Sequence, residues 1–485
     1  MKKSFYWHDY ETFGIDPGKD RAAQFAGLRT DEDLNVIGKP LVIYCQPAND
    51  FLPQPEACLI TGITPQLALQ KGLPEYQFFK KIITELSTPN TCTVGYNNIR
   101  FDDEFTRFGL YRNFYDAYAR EWQNGNSRWD LIDMLRLTAA LRPDGINWPI
   151  NEKNQISFRL EKLTEANGIS HQDAHDALAD VQATIAIAKL VKTQQPRLYD
   201  YCLQLRNKHK VLELLDIYNP KPLLHISGMY SGTFGHCAMV LPLMVHPENK
   251  NGIIVYDLRY EADDLLTLSA DEIKQRLYTP RLELEKQGLQ RIALKTIHIN
   301  KCPALAPLNT LSSEAAERLD INIKQQKINC ENLIHNHDLI KKLNDVYQSN
   351  FDNSEVNNKA NTNDVDKALY SGGFFSPADK DKMELITQAD EKTIMQLNYH
   401  FKDSRLDDLF FRYKCRNFEH LLSSEEKQLW EKYRLKRMTD PNENASIHYA
   451  DYTNKLNQLL LSENDPLKLN IIHKLKEYSH QIGLL

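Results

Sequence analysis

Hydrophobic residues in the first two hundred positions come in short runs of two kinds. Phe5-Tyr6-Trp7-His8-Asp9-Tyr10-Glu11-Thr12-Phe13-Gly14 is rich in aromatics and carries acids at alternate positions, the mark of a buried strand with a polar end. Two further strands are expected at residues 34–38 and 41–45, separated by Gly38-Lys39-Pro40, and another at 92–96. Helical spacing takes over at 65–86, with a break at Gly72-Leu73-Pro74, and returns after Asp102, where Phe105, Leu110 and Tyr111 turn inward. A helix over 158–167 is predicted, capped by Ser157 and stopped at Gly168. Another spans 175–193 and keeps Leu178, Val181, Ile185 and Ala188 on one face. This alternation makes residues 1–195 an α/β domain with parallel and antiparallel strands.

Past Gln195 the pattern changes twice. Residues 198–215 read as a helical connector, and 225–300 turn β-rich, with strands at 235–240, 252–256 and 294–299. His246-Pro247-Glu248-Asn249-Lys250-Asn251-Gly252 is a hairpin signal between two of them. Residues 350–366, rich in Asn and Asp, read as a linker or mobile loop, and helices follow at 379–388, 407–413, 425–438 and 447–461. The expected domains are therefore 1–195, 196–350 with the connector, and a helical 351–485.

Composition changes little in this picture. With 485 residues, 42% hydrophobic and 26% charged, the chain is an ordinary globular protein of several domains. No run approaches the ~18 apolar residues of a membrane span, and Met1-Lys2-Lys3 leads straight into the first strand without a signal-peptide core. The eight scattered cysteines, none in Cys-x-x-Cys, suit free thiols in a reducing cytoplasm. A net charge of -6 speaks mildly against nucleic-acid binding, though basic clusters occur at Arg206/Lys208/Lys210, Arg412/Lys414/Arg416 and Arg434/Lys436/Arg437. Taken singly, each is expected to be a solvated helix face.

The candidate chemistry lies in the acids. Period two puts Asp9 and Glu11 on the same side of their strand, and adjacent carboxylates at the end of an apolar strand call for a hard cation such as Mg²⁺ or Mn²⁺. Asp-x-Glu alone is common, and a strand running into a solvated turn explains it equally well. Asp102 at a helix start and Asp180, five residues after His175, add to the set. At about 100° per residue His175 and Asp180 cannot share one helical face, so His175 has to reach in from the helix entry. Arg107, Tyr118, Trp122 and Arg128 interleave cations with aromatics, as a single-stranded nucleic-acid track requires, and a core stripe is the alternative for the two aromatics. Arg159 falls in a predicted first helical turn, where a cation is disfavoured unless it meets a phosphate. Asp130 and Asp133 fit no such constellation and are assigned structural roles.

Phe5 to Gly14, Asn97-x-x-x-Phe101-Asp102 and His175-x4-Asp180 resemble, in order and spacing, the three exonuclease motifs of the DnaQ-like superfamily, with histidine in the third. Within it, Gly95-Tyr96-Asn97-Asn98, Arg142-Pro143-x-Gly145-Ile146-Asn147-Trp148-Pro149, Thr193-x-Gln195-Pro196-Arg197-Leu198 and His298-Ile299-Asn300-Lys301-Cys302-Pro303 are similar to the bacterial exodeoxyribonuclease I family; the likeness is weakest over 308–367. It implies a ribonuclease-H-like exonuclease domain, a β-rich SH3-like domain and an α-helical C-terminal domain. It also implies processive 3′ to 5′ degradation of single-stranded DNA to mononucleotides, in DNA repair and recombination, by a cytoplasmic monomer that docks the tail of single-stranded-DNA-binding protein.

The chemistry inferred is two-metal hydrolysis with Mg²⁺, or Mn²⁺ in its place: Asp9, Glu11 and Asp180 would hold one ion, and Asp9 with Asp102 the other. His175 would be the general base. Glu11, Thr12 and Phe13 would meet the terminal nucleotide, and Arg107, Tyr118, Trp122, Arg128, Arg136, Arg142 and Arg159 the strand. Rival functions are an RNA-trimming or proofreading exonuclease, and an inactive single-strand-binding scaffold; the intact acid set speaks against the scaffold.

Overall fold

β1 (Ser4–Thr12), β2 (Ala22–Thr30) and β3 (Val36–Tyr44) form an antiparallel meander in the computed structural model, which describes residues 2–171, 176–336, 338–348 and 364–484. β4 (Thr91–Gly95) pairs parallel with β1 on its other side, and β5 (Ser127–Asp130) completes the order β3-β2-β1-β4-β5. β1 is thus the central strand. The chain forms two units: residues 1–127, 171–184 and 355–485 make the first, and 128–170 with 185–354 the second.

In the first unit the sequence expectation fails instructively at two strands. β2 has no counterpart among the predicted elements: it is buried along nearly its whole length, so it shows no alternation, and its Ala and Gly residues carry little β signal. The two strands expected at 34–38 and 41–45 are one. Gly38, at φ +79°, lets β3 bulge where its pairing passes from Gly27↔Leu41 to Arg29↔Ile37, and Pro40 is tolerated because β3 is an edge strand.

Two helices bear on the site from the sequence before β5: α1 (Glu75–Leu86), after the expected break, and α2 (Asp102–Arg112). α3 (Ala177–Gln194) begins in this unit. The C-terminal helices are α4 (Pro377–Gln388), α5 (Arg405–Asn417), α6 (Ser424–Thr439), α7 (Tyr449–Ser462) and α8 (Pro466–Gln481). They are built into the first unit through shared cores. Phe13, Phe51 and Ile63 pack with Met438, Tyr452, Ile472 and Leu475, and Tyr111 and Phe114 pack with Met383, Phe410 and Tyr413.

The arginines of the basic clusters on α5 and α6 do not lie on solvated faces, whereas Lys436 is exposed. Arg412, Arg434 and Arg437 are buried, the Arg416 side chain is only 3% exposed, and Arg412, Arg416 and Arg437 close on Asp50 and Asp366. Most of the predicted linker at 350–366 lies outside the described residues, but Asp364 to Asp366 are buried and bonded rather than mobile.

The second unit carries its own antiparallel sheet, β6 (Leu223–Ile226), β7 (Cys237–Val245), β8 (Gly252–Asp257), β9 (Leu294–His298) and β10 (Ala304–Pro307), in the order β10-β6-β7-β8-β9. The expected hairpin joins β7 to β8, closed by the Gly252 N–H on the Asn249 carbonyl. Val240, Ile253, Val255 and Ile297 form its core with Val211 and Leu215 of the connector, which is two helices, Pro196–Gln204 and Lys208–Leu214. The weakly patterned stretch after Leu308 folds into Ser313–Arg318, Ile323–Ile334 and Leu339–Tyr347. All eight cysteines are free, and no described helix is long and apolar enough to cross a membrane.

Candidate metal and nucleic-acid site

β1 outruns its parallel neighbour. Pairing with β4 ends at Trp7↔Val94, so beyond it one side of β1 is left without a strand. Gly95 lets the chain turn there: a Cβ on it would come within 2.7 Å of the Asn98 side chain and 3.1 Å of the His8 carbonyl. The turn delivers Asp102 to the first position of α2, and its Oδ1 accepts the Tyr10 N–H at 3.1 Å, taking the place of the missing strand. Thr106, one turn on, donates to the Asp102 carbonyl and lies 3.0 Å from the Tyr10 hydroxyl, which locks the helix start onto β1.

Asp9 and Glu11 share one side of β1 as the alternation required, and Asp180 joins them from the first turn of α3. Ligand oxygens of all three lie within 4.8 Å of one another. Burial, then the charges of Asp102, Glu11 and Asp180, hold the Asp9 carboxyl well above the usual carboxylate range. Burial, with Asp180, Asp102 and Asp176 behind it, pushes Glu11 from 4.5 to about 8. Carboxylates that raise one another in this way form a site that a divalent cation neutralises, and an all-oxygen donor set suits a hard ion.

Two contributors escaped the sequence reading. Asp176 caps α3, its Oδ1 accepting from the N–H groups of Leu178 and Ala179, so the helix opens at Ala177. His171 places its Nε2 2.6 Å from Asp180 Oδ1 with its side chain only 4% exposed. Its signal was a second histidine four residues ahead of His175. His175 itself lies outside the described residues.

Behind the acids, Asp103 turns inward and pairs with Arg120 at 2.6 Å, both side chains fully buried. His8 stacks on Phe25 with ring centroids 5.9 Å apart, and burial lowers it to about 4, a neutral core imidazole.

The predicted strand contacts separate into several groups. Phe13 is a correction: its ring is 1% exposed, packs on Phe51, and belongs to the core shared with α7 and α8. Thr12 is buried and donates to the Gly14 carbonyl at 2.7 Å, bracing the turn after β1. Arg107 is engaged bidentately by Glu121 at 2.8 and 2.9 Å and by Glu104 at 2.7 Å, so its charge is spent within the protein. Tyr118 and Trp122 do not sit one helical turn apart on a helix; a short 3₁₀ turn, Ala119–Glu121, separates them. Trp122 is 66% exposed, which rules out a core stripe for that residue. Tyr118 is half-buried beneath the Arg107 guanidinium, 5.3 Å from its ring centre.

The remaining arginines belong to the second unit. Arg128 is buried and donates to the Asn300 carbonyl at 3.2 Å. Arg136 pairs with Asp133 and lies 5.6 Å from the Phe158 ring, and Arg142 donates to the carbonyls of Leu141 and Thr310. Arg159, expected inside the first turn of a helix from 158, is instead exposed at the N-cap of a helix that begins at Leu160, one position before its observed first turn. Asp130 caps the helix Leu131–Leu141 and Asp133 holds Arg136, the structural roles assigned to them.

Comparison with known proteins covers the chain from end to end. Residues 6–188 match an exonuclease family model, 206–349 the exonuclease I SH3-like domain, and 363–482 the exonuclease I C-terminal domain. The exodeoxyribonuclease I of Haemophilus influenzae is 44% identical over 475 residues, 98% of each chain. That of Escherichia coli is 46% identical over 482 residues, 99% of this chain and 98% of its own. The zinc-bound crystal structure of an Escherichia coli ExoI–ssDNA complex superposes with a TM-score of 0.92 at 45% identity, covering 99% of this chain and all of that one.

Proposed function

The chain belongs to the exodeoxyribonuclease I family, and from that membership together with the acid cluster on β1 we infer that it is a hydrolase removing nucleotides from single-stranded DNA. The observation that carries the chemistry is the convergence of Asp9, Glu11 and Asp180 within 4.8 Å, with Asp102 fixed beside them by the Tyr10 N–H. Mere strand binding gives no reason to bury acids that repel both one another and phosphate.

The finer reading is two Mg²⁺ ions, replaceable by Mn²⁺, one held by Asp9, Glu11 and Asp180 and the other by Asp9 and Asp102. Bound there, such ions supply charge neutralisation and polarisation at the attacked phosphate. Asp102, held by β1, and Asp180, held against His171, keep their carboxylates aimed at the same space as Asp9 and Glu11. His175, four residues after His171 and just ahead of the Asp176 cap, is placed by sequence to take the proton from the attacking water. Trp122 and Arg159, both exposed, remain the candidate base and phosphate contacts of their respective units. Processive 3′ to 5′ release of mononucleotides, docking of the tail of single-stranded-DNA-binding protein, and a monomeric cytoplasmic enzyme belong to this reading on family grounds.

The test is a 5′-labelled single-stranded DNA and its RNA counterpart, each incubated with enzyme and Mg²⁺, with and without chelator. A DNA ladder shortening from the 3′ end, erased by chelation, is expected. Equal digestion of RNA, or full activity in excess EDTA, would sink the proposal.

A further inference from the structure

The ionic knot that joins α5 and α6 to the nuclease sequence does not balance. The fully buried carboxylates of Asp50 and Asp366 meet Arg416 Nη2 at 2.6 and 2.5 Å and Arg437 Nη1 at 2.9 and 3.1 Å. Arg412 approaches Asp366 at 3.2 Å and also holds Asp364. Arg21, just ahead of β2, comes no nearer than 3.5 Å to Asp366 and 3.9 Å to Asp50. Within ion-pairing reach, four guanidiniums share three carboxylates, and Arg21 is served worst.

Arg21 bears the shortfall. Its Nη1 donates to the backbone carbonyls of Lys19 and Asp20 at 3.0 and 3.1 Å, but its Nε has no partner among the described residues, although the side chain is only 3% exposed. Arg437 Nε and Nη2 also lack one, as does the acceptor Asp50 Oδ1, so within the knot open donors outnumber open acceptors. Burial opposes the charge of Arg412, Arg416 and Arg437, but Asp366 and its neighbours outweigh it and hold all three above the ordinary guanidinium range. Arg21 goes the other way: burial, then the charges of Arg112 and Arg416, lowers it to about 10. A buried guanidinium that its surroundings tend to discharge is short of a negative partner.

Beside it there is room for one. Arg21 and Arg416 line a cavity of 240 Å³ together with Gln46, Asn49, Asn417 and Leu69. Two carboxylates also line it, and both are engaged, Glu75 by Arg112 at 3.0 Å and Glu419 by Asn49 Nδ2 at 3.1 Å. The volume falls below the roughly 300–1,000 Å³ of pockets that enclose organic ligands, and it suits an ion with a few waters.

We propose that this cavity is an oxyanion site, taking inorganic phosphate or an ion of the same shape on its Arg21 side. A guanidinium with an uncommitted N–H is a strong, directional donor to such an ion. One anion there supplies the charge the knot lacks and, between Arg21 and Arg416, ties the chain before β2 to the end of α5. Phosphate concentration thereby bears on how firmly the nuclease and C-terminal portions hold together.

The experiment is equilibrium dialysis of the full-length protein against radiolabelled inorganic phosphate, in EDTA and without DNA, so that its result stands apart from the nuclease reading. Wild type is expected to take up one phosphate per chain, displaced by sulfate and not by dAMP, whose nucleoside is too large for the cavity. Arg21→Met should weaken uptake about tenfold or more, the loss of one charge-assisted hydrogen bond, and Arg21→Lys should weaken it less. Leu69 is 41% exposed, and Leu69→Trp fills the cavity from that side while every charge stays in place. It should weaken uptake as well, which keeps the site testable if Arg21→Met does not fold. At constant ionic strength, phosphate should also raise the urea midpoint of wild type and leave that of Leu69→Trp where it is. No saturable uptake by wild type, wild-type uptake in Leu69→Trp or in folded Arg21→Met, or displacement by dAMP in preference to sulfate would each overturn the assignment.

Discussion

In the absence of metal, Glu11→Gln should make the first unit more stable while removing its activity. Glu11 is 8% exposed, and glutamine keeps its shape while discarding the charge that Asp180 and Asp102 oppose. A carboxyl raised from 4.5 to about 8 binds its proton more tightly folded than unfolded, so folding loses stability as pH rises between those values. At about 1.4 kcal/mol per pH unit, the loss is about 3 kcal/mol by pH 7 and approaches about 5 kcal/mol above pH 8, an upper bound because the neighbouring acids share the repulsion.

The assay is urea unfolding in EDTA, wild type against Glu11→Gln, at about pH 5 and about pH 8. The variant is expected to lead by a few kcal/mol at the higher pH and by little at the lower, and Mg²⁺ should restore wild type far more than the variant. A variant no more stable than wild type at high pH, or a gap that ignores pH, would show that the acids are not strained and that the cluster has no need of a cation.

Three further outcomes are expected. Asp103→Asn should cost about 3–5 kcal/mol in denaturant unfolding, because it strands the buried Arg120 guanidinium, whereas Asp102→Asn should abolish cleavage with a much smaller loss. Burial alone would raise Asp50 and Asp366, but Arg416 and its neighbours outweigh it and hold both well below the usual range. The stability these carboxylates confer is therefore present above the ordinary carboxylate pKa and lost as pH falls below about 4, an acid transition that the fluorescence of buried Trp430 should follow and that Asp50→Asn should weaken. Trp122→Ala should weaken single-stranded DNA binding with its salt dependence kept, while Arg159→Ala should lower the log–log salt slope by about 1, as titrations across a salt series would show.

Asp9 and Glu11 could be read from the sequence because period two in a central strand leaves their direction no freedom. Asp102 was visible as an acid at a helix start, but its hold on Tyr10 depends on the pairing with β4 ending at Trp7, three residues before Tyr10, which no local pattern records. β2 was invisible for want of alternation, and Phe13 was misplaced because the core it enters is assembled from α7 and α8, more than four hundred residues later. The arginines of α5 and α6 fit a solvated helix equally well by spacing. Only their partners, Asp50 far upstream and Asp366 inside a stretch that reads as linker, reveal them as interior.

The shared core has a bearing on modularity. The exonuclease family model ends at residue 188, yet a fragment cut there would present Phe13, Phe51, Leu52 and Ile63 to water and leave Asp50 with Arg21 as the one remaining partner of its ionic knot. Such a piece carries every acid of the metal cluster and still lacks the means to stay folded on that face. The nuclease and C-terminal portions are separable as units of recognisable sequence but not as units of solubility, and an insertion or truncation between them is expected to yield aggregate rather than a smaller enzyme.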